Sequence, residues 1–274
     1  MQAHAQGSGS RANDVASRTV PVPRVGVALA RNASEVEEAQ RLRYAVFAEE
    51  LGARLPETQL SAARRIDRDA FDPYCEHLIA RDLGSGEVVG TYRILTPDAA
   101  RAAGSYYSEQ EFDLARLAHL RAQMVEVGRS CVHPDYRSGG AILMLWSALI
   151  RFMGQRGHEY LFGCASMGMA DGGHAAAATW RRVQARHLAA PEYRVFPHCR
   201  LPVEALDAES VETASQPNHR ALPPLIKGYL NIGARICGEP AWDPDFNTAD
   251  LPVLLSVSNM TPRYKSHLVK NVIT

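Results

Sequence analysis

Apolar and polar positions alternate or recur in blocks along most of the chain, and their period changes several times. Val25 to Ala30 reads as a first strand. Val36, Ala39, Leu42, Val46 and Phe47 then recur at helical spacing, behind a capping-box pair at Ser34 and Glu37. On that helix Arg43 and Phe47 lie four apart, hence side by side. HLIARD, then GSGE, then VVGTYRIL form a hairpin pattern, two apolar runs around a turn. Ala53 to Arg65 is expected to be a loop or a poor helix, and Ile66 to Tyr74 a turn-rich segment with three aspartates. Asp98 to Leu120 is helical or irregular and holds two tyrosines and an acidic cluster. Met124 to Val132 predicts a strand, Gly139 to Gln155 a helix stopped by Gly157, and Tyr160 to Met167 another strand. Ala175 to Leu188 reads as a helix supported by four consecutive alanines. RVFPHCRL is strand-like; a helix near Pro224 to Ile236, an acidic loop and the apolar strand LPVLLSV follow. Strands separated by helices, with a hairpin among them, imply an α/β (α+β) fold around a mixed, mostly antiparallel sheet.

Composition narrows the possibilities. The 274 residues suit one large domain, read as residues 24–264 between a disordered N-terminal tail (1–23) and a short C-terminal tail (265–274). Thirty basic residues balance thirty acidic ones, which argues against a nucleic-acid-binding surface. The five cysteines are odd in number with no C-x-x-C spacing, so core thiols are expected rather than disulfides or a zinc site. No apolar run reaches the roughly 20 residues needed to span a bilayer, and the N-terminus lacks the apolar core of a secretory signal. A cytoplasmic protein is expected, at most peripheral to the inner face of a membrane.

The segment MVEVGRSCVHPDYRSGGAILMLW concentrates the chemistry. A strand bearing Glu126 and Arg129 runs into a Pro-Asp turn, and Arg137, Ser138, Gly139 and Gly140 then open an apolar helix. Consecutive glycines allow a sharp turn and close approach of a ligand, and the free N–H groups of a first helical turn attract an anion. That arrangement suits a phosphate-containing donor; an ordinary strand-to-helix turn is the alternative. The histidines, His133, His174 and His187 among them, show no metal-ligand spacing. Ser166 and Ser256 lack the surroundings of a nucleophile elbow, so no covalent acyl-enzyme is expected.

HPDYRSGGAI resembles the acyl-donor loop of the GCN5-related N-acetyltransferase superfamily, with Ile142 standing where that pattern has a small residue. RLRYAVFAEELG, IDRDAFDPY, VVGTYRIL and MVEVGRSCV follow in an order that resembles acyl-homoserine-lactone synthases and the ornithine lipid N-acyltransferases. Within that pair, GRSCVHPDYRSGGAILMLW and PPLIKGYLNIGARICGEPAWDPDFNTADLPVLL are more similar to the ornithine acyltransferases. The resemblance implies an acyltransferase fold with splayed central strands. It implies transfer of a 3-hydroxyacyl chain from acyl carrier protein to the α-amine of L-ornithine, giving lyso-ornithine lipid. No bound cofactor or metal is implied; the 3-hydroxyacyl phosphopantetheine thioester is a co-substrate. It also leaves rivals open: an acyl-homoserine-lactone synthase using S-adenosylmethionine, an acyltransferase for another amine, and a non-catalytic acyl-carrier-binding protein.

The resemblance also gives the residues roles. Glu126 becomes a general base for the amine, where an exposed glutamate on a polar strand face is the alternative. Arg129 pairs with Glu126 or grips a substrate carboxylate. Three residues apart on a regular strand the two would face opposite ways, so they can share a site only if the strand bulges near Gly128. Arg137, Ser138, Gly139 and Gly140 cradle the donor phosphate. Arg43, Phe47, Asp69 and Arg93 match active-site positions of the lactone synthases. In the loop Trp242 to Asp250, which holds Asp243, Asp245, Asn247 and Asp250, the acidic residues, Asp243 and Asp245 foremost, are candidates for holding ornithine's second amine, against a plain turn-forming role. The Ile142–Trp146 helix face and the Tyr160–Met167 strand are candidate walls of an acyl tunnel. Arg181, Arg182 and Arg186 are candidates for a patch facing an acidic carrier protein.

Overall fold

The hairpin signal is realised as two antiparallel strands. In the computed structural model, which describes residues 25–55, 63–138, 140–206 and 222–264, β1 (Val25–Leu29) pairs with β2 (Glu76–Asp82), and β2 with β3 (Val88–Leu95). The short β4 (Phe112–Asp113) stands apart, pairing with β7 (Phe196–Pro197). β5 (Met124–Val132) pairs antiparallel with β3 and parallel with β6 (Tyr160–Gly168). β8 (Arg235–Ile236) and β9 (Ala241–Asp243) both pair with β10 (Thr248–Ser256), which runs antiparallel along β6. The sheet order is β1-β2-β3-β5-β6-β10-β8, and its single parallel junction is β5–β6. The mixed, mostly antiparallel sheet expected from the sequence is therefore present. Both expected tails lie outside the described residues.

Helices cover both faces. α1 (Ala33–Tyr44) begins two residues earlier than the capping-box reading placed it: Asn32, not Ser34, is the cap, its side chain accepting from Glu35 N at 3.0 Å. The helix then widens into a π-helical turn, Ala45–Glu50, with Leu51 N donating to Val46 O. That extra residue per turn breaks the four-residue spacing of Arg43 and Phe47: Arg43 is fully buried and Phe47 faces a cavity. α2 (Pro97–Ala103) and the 3₁₀ segments Tyr107–Gln110 and Ala115–Gln123 cover the same side of the sheet, around Phe71, Leu95, Phe112, Leu117 and Met124. α3 (Ala141–Arg156), α4 (His174–His187) and α5 (Pro224–Ile232) pack on the opposite face over Ile94, Val125, Leu145, Met153, Trp180 and Leu251. α5 sits tightly on α3: Tyr229 stacks on Trp146 with centroids 5.1 Å apart, and a Cβ on Gly228 would lie 2.6 Å from the Trp146 ring. All five cysteines are free; Cys131 and Cys237 are buried as expected, but Cys199 is exposed.

Candidate active site

β5 bulges where the sequence required it to, although on a different residue. Arg93 pairs with Gly128 and Thr91 with Cys131, so β5 spends one more residue than β3 over that interval. The left-handed conformation falls on Arg129, at φ 49°, rather than on Gly128. A side-chain-bearing residue pays about 1–2 kcal/mol for that region, and here the side chain is heavily anchored. Arg129 Nη2 donates to Asp69 Oδ2 at 3.1 Å, and Nε lies 3.1 Å from Asp67 Oδ2 as an ion pair. The guanidinium packs 4.4 Å from the Phe246 ring centroid and 4.9 Å from that of Tyr107. Glu126 and Arg129 thus line one cavity, but Arg129 pairs with aspartates, not with Glu126.

The fork between β5 and β6 opens at the same point. Parallel pairing runs Met124–Tyr160, Val125–Leu161, Glu126–Phe162 and then stops, while β6 continues along β10. Gly163 sits at the fork, and a Cβ there would lie 2.3 Å from Val127 O. Only glycine lets the strands come so close before they part.

Glu126 stands at the mouth of this fork, 5% exposed. Its carboxylate accepts from Tyr107 N at 2.6 Å, Ser108 N at 2.7 Å and the Ser108 hydroxyl. Those donors belong to the N-terminal turn of the 3₁₀ segment Tyr107–Gln110, which itself closes by a reciprocal cap between Tyr106 and Glu109. Burial pushes the Glu126 carboxyl above its ordinary range, and the Ser108 and Tyr107 donors pull it only part of the way back.

A buried ionic lattice underlies the cavity floor. Arg43, at 0% exposure, donates from Nε to Asp67 Oδ2 at 2.8 Å and from Nη2 to both Asp72 oxygens at 2.9 and 3.0 Å. Arg93 Nη1 donates to Asp69 Oδ2 at 2.6 Å and to Asp72 Oδ2 at 3.3 Å. The three aspartates of IDRDAFDPY thus hold three arginines from α1, β3 and β5. Asp72 is pulled upward by burial, but Arg43 and Arg93 outweigh that and keep its carboxyl well below the usual range. Arg43 does not reach the cavity; it fixes the aspartates that position Arg93 and Arg129.

The cavity has two chemically distinct ends. One is apolar, walled by Trp146, Leu149 and Ile150 of α3, Tyr229 and Ile232 of α5, and Leu255 of β10. The other is acidic: single carboxylate oxygens of Glu111, Asp243 and Asp250 lie within 4.8 Å of one another. Phe47 lines the cavity edge-on to Phe246, with centroids 5.9 Å apart. Asp245 is exposed and borders an adjoining cleft. Burial and the neighbouring Asp250 push the Glu111 carboxyl up to about 9, and burial raises Asp250 as well. Such a cluster has the chemistry to bind a cation. Glu111, Tyr107 and Ser108 all come from the segment that the sequence leaves irregular, where the acidic residues and paired tyrosines were the only signal.

The glycine turn lies apart from this cavity. Gly140 adopts φ 78° and opens α3 without a side-chain cap. Arg137 is engaged in a two-pronged pair with Glu50 (2.6 and 2.7 Å), which ties the turn to the π-helical segment. Ser138 is exposed, and Gly139 lies outside the described residues. Arg181 on α4 is likewise tied down, donating to Val203 O and Leu206 O.

A mostly antiparallel sheet with a bulged, forked β5–β6 junction and a glycine-led helix after it defines a GNAT-type acyltransferase. Residues 42–147 match the family model described as "Acetyltransferase (GNAT) domain". The AHL synthase LasI shares the fold at 12% identity, with a TM-score of 0.50 over 92% of this chain and 98% of that one. The chain is 38% identical to the L-ornithine N(alpha)-acyltransferase of Rhodobacter capsulatus, over 90% of this chain and 95% of the relative. It is 36% identical to that of Agrobacterium fabrum, over 87% and 83% respectively. The chain belongs to the L-ornithine N(alpha)-acyltransferase family and is an N-acyltransferase.

Proposed function

We propose that this enzyme transfers a 3-hydroxyacyl chain from acyl carrier protein to the α-amine of L-ornithine, forming lyso-ornithine lipid. The observation that supports this most is that one cavity joins a buried, hydrogen-bonded glutamate at a strand fork to an apolar arm and a carboxylate cluster. An amine, a thioester and a long acyl chain each find a matching surface there.

The ammonium group of the α-carbon comes up to Glu126, which takes a proton either directly or through a water. The freed lone pair attacks the thioester carbonyl. N–H groups of β5 that face the gap left by β6 receive the oxyanion. As the tetrahedral intermediate collapses, the C–S bond breaks, the nitrogen gives up its second proton to the leaving thiolate, directly or through a water, the amide C–N bond remains, and Glu126 returns its proton to solvent. A carboxylate raised above its usual range is a better proton acceptor near neutral pH than an exposed one, while the three donors keep it oriented. Arg129, flanked by Tyr107 and Phe246, is placed to meet the amino acid's carboxylate. Arg93 and Arg43 act behind it by positioning Asp69 and Asp67.

The acyl chain occupies the arm between α3 and α5. The phosphopantetheine phosphate docks at the first turn of α3, on backbone N–H groups after Gly140. Its side-chain partner is not Arg137 unless the Glu50 pair opens. No helix among the described residues is long and apolar enough to cross a membrane; the amphiphilic product makes peripheral membrane contact part of the proposal. Thiol release from 3-hydroxyacyl carrier protein, measured with and without ornithine, tests the reading. Release should depend on ornithine; ornithine-independent or absent release contradicts it.

A further inference from the structure

Asp250 is 4% exposed, lines the cavity, and its Oδ1 has no hydrogen-bond partner. Glu111 Oε2 is equally without one. A buried acceptor left unpaired costs about 1–3 kcal/mol, and here two stand together beside Asp243. The strongest influences on Glu111, after burial, are other carboxylates: Asp250, Asp243 and Glu126. A proton held between Glu111 and Asp250 relieves that repulsion before substrate binds, and an arriving ammonium group would take its place.

We propose that Glu111 and Asp250, with Asp243 beside them, seat the second ammonium group of the amine substrate, and that their spacing from Glu126 selects the length of the diamino acid. The inference rests on the ornithine reading and deepens it. The backbone supports a spacing of that order. Glu126 is bound by Ser108, and Glu111 follows three residues later at the end of the same 3₁₀ turn. Residues three apart in a 3₁₀ helix eclipse, displaced by about 6 Å at roughly 2 Å per residue. The α- and δ-nitrogens of extended ornithine, five bonds apart, are also separated by about 6 Å.

The sheet puts the two groups on one face, on either side of β6. Glu126 lies opposite Phe162 and Asp250 opposite Ser166, so both leave the sheet on the face shared by positions 162, 164 and 166. Between them is Cys164, whose Sγ lies 3.8 Å from Ser108 Oγ. An ammonium group offers three N–H donors to three carboxylates. A hard divalent ion would have to complete a shell of six or more oxygens with water or bidentate carboxylates, so sensitivity to EDTA separates the two. Asp245, exposed on the adjoining cleft, does not join the cluster.

The test compares ornithine with norvaline, the same carbon skeleton without the δ-nitrogen, and with lysine and 2,4-diaminobutyrate. In the wild-type enzyme kcat/KM should favour ornithine over norvaline by 100-fold or more, with lysine and diaminobutyrate between. In Asp250→Asn and Glu111→Gln the ornithine/norvaline ratio should fall towards one. Calorimetry gives a second readout: ornithine should bind the wild type measurably more tightly than norvaline, and the variants should not distinguish them. A ratio and a binding preference retained in both folded variants overturn the proposal while leaving ornithine acylation standing. Loss of the ornithine preference on adding EDTA would also overturn it, in favour of a bound metal. Failure of the wild type to acylate any amine would refute the function instead, and the binding comparison would still decide the ammonium seat.

Discussion

Ser108→Ala isolates how the protein tunes its base. The Ser108 hydroxyl is one of three donors to Glu126, and the two amides from residues 107 and 108 remain after the substitution. Hydrogen bonds to a charged group contribute about 1.5–3 kcal/mol, and they favour the ionised carboxylate over the neutral acid. At about 1.4 kcal/mol per pKa unit, losing this one should raise the Glu126 carboxyl by roughly one to two units above its already elevated position. A base works only when ionised, so activity is present above its pKa and lost as pH falls through it. The acid limb of the kcat/KM profile for thiol release should therefore move to higher pH by about that amount, while the plateau at alkaline pH stays near wild type. Glu126→Gln should abolish the limb and lower turnover at every pH, with donor binding kept. A limb that stays in place in Ser108→Ala, with the whole profile depressed, would mean that Ser108 only shapes the turn. Glu126 would then not be the titrating base.

Gly163→Ala should destabilise the protein by about 1–3 kcal/mol and lower turnover, because the new Cβ meets Val127 O at the fork; an unchanged Tm would show that the fork has slack. Arg43→Met strips one partner from each of buried Asp67 and Asp72, which keep Arg129 and Arg93, and should cost about 3 kcal/mol in denaturant unfolding, so a loss under 1 kcal/mol would contradict the lattice. Glu111 contributes a pH-dependent term of known sign. Its folded pKa is raised to about 9, so stability present below the ordinary carboxylate value is lost as pH climbs towards 9. Glu111→Gln should accordingly melt higher than wild type at pH 8 to 9 and show no such advantage at pH 4, a trade of stability for binding.

Elements with a clean period were legible in the sequence. Strand Met124–Val132 was placed to the residue, and α3 and β6 to within two, because each is an apolar run bounded by glycine or a polar turn. The need for a bulge could be argued from the three-residue spacing of Glu126 and Arg129 alone. Its location could not, since pairing with β3 and the anchoring of the Arg129 side chain override the local preference for Gly128. The π-helical turn after Tyr44 escaped for a related reason: it depends on tertiary packing and leaves the apolar pattern unchanged. The roles of Tyr107, Ser108 and Glu111 were hidden because residues 105–123 form short 3₁₀ turns with no period to read, and because Glu111 meets Asp250 only across the folded sheet. Arg43, expected among the substrate-binding residues, is instead fully buried against Asp67 and Asp72 and does not line the cavity.

With the α-amine at Glu126 and the second amine at Glu111 and Asp250, as proposed, only the α-nitrogen meets the thioester. Mass spectrometry with fragmentation of the product from ornithine and 3-hydroxyacyl carrier protein reads this directly. The α-amide is expected; a δ-amide, or acylation of both nitrogens alike, would refute the placement of the two amines.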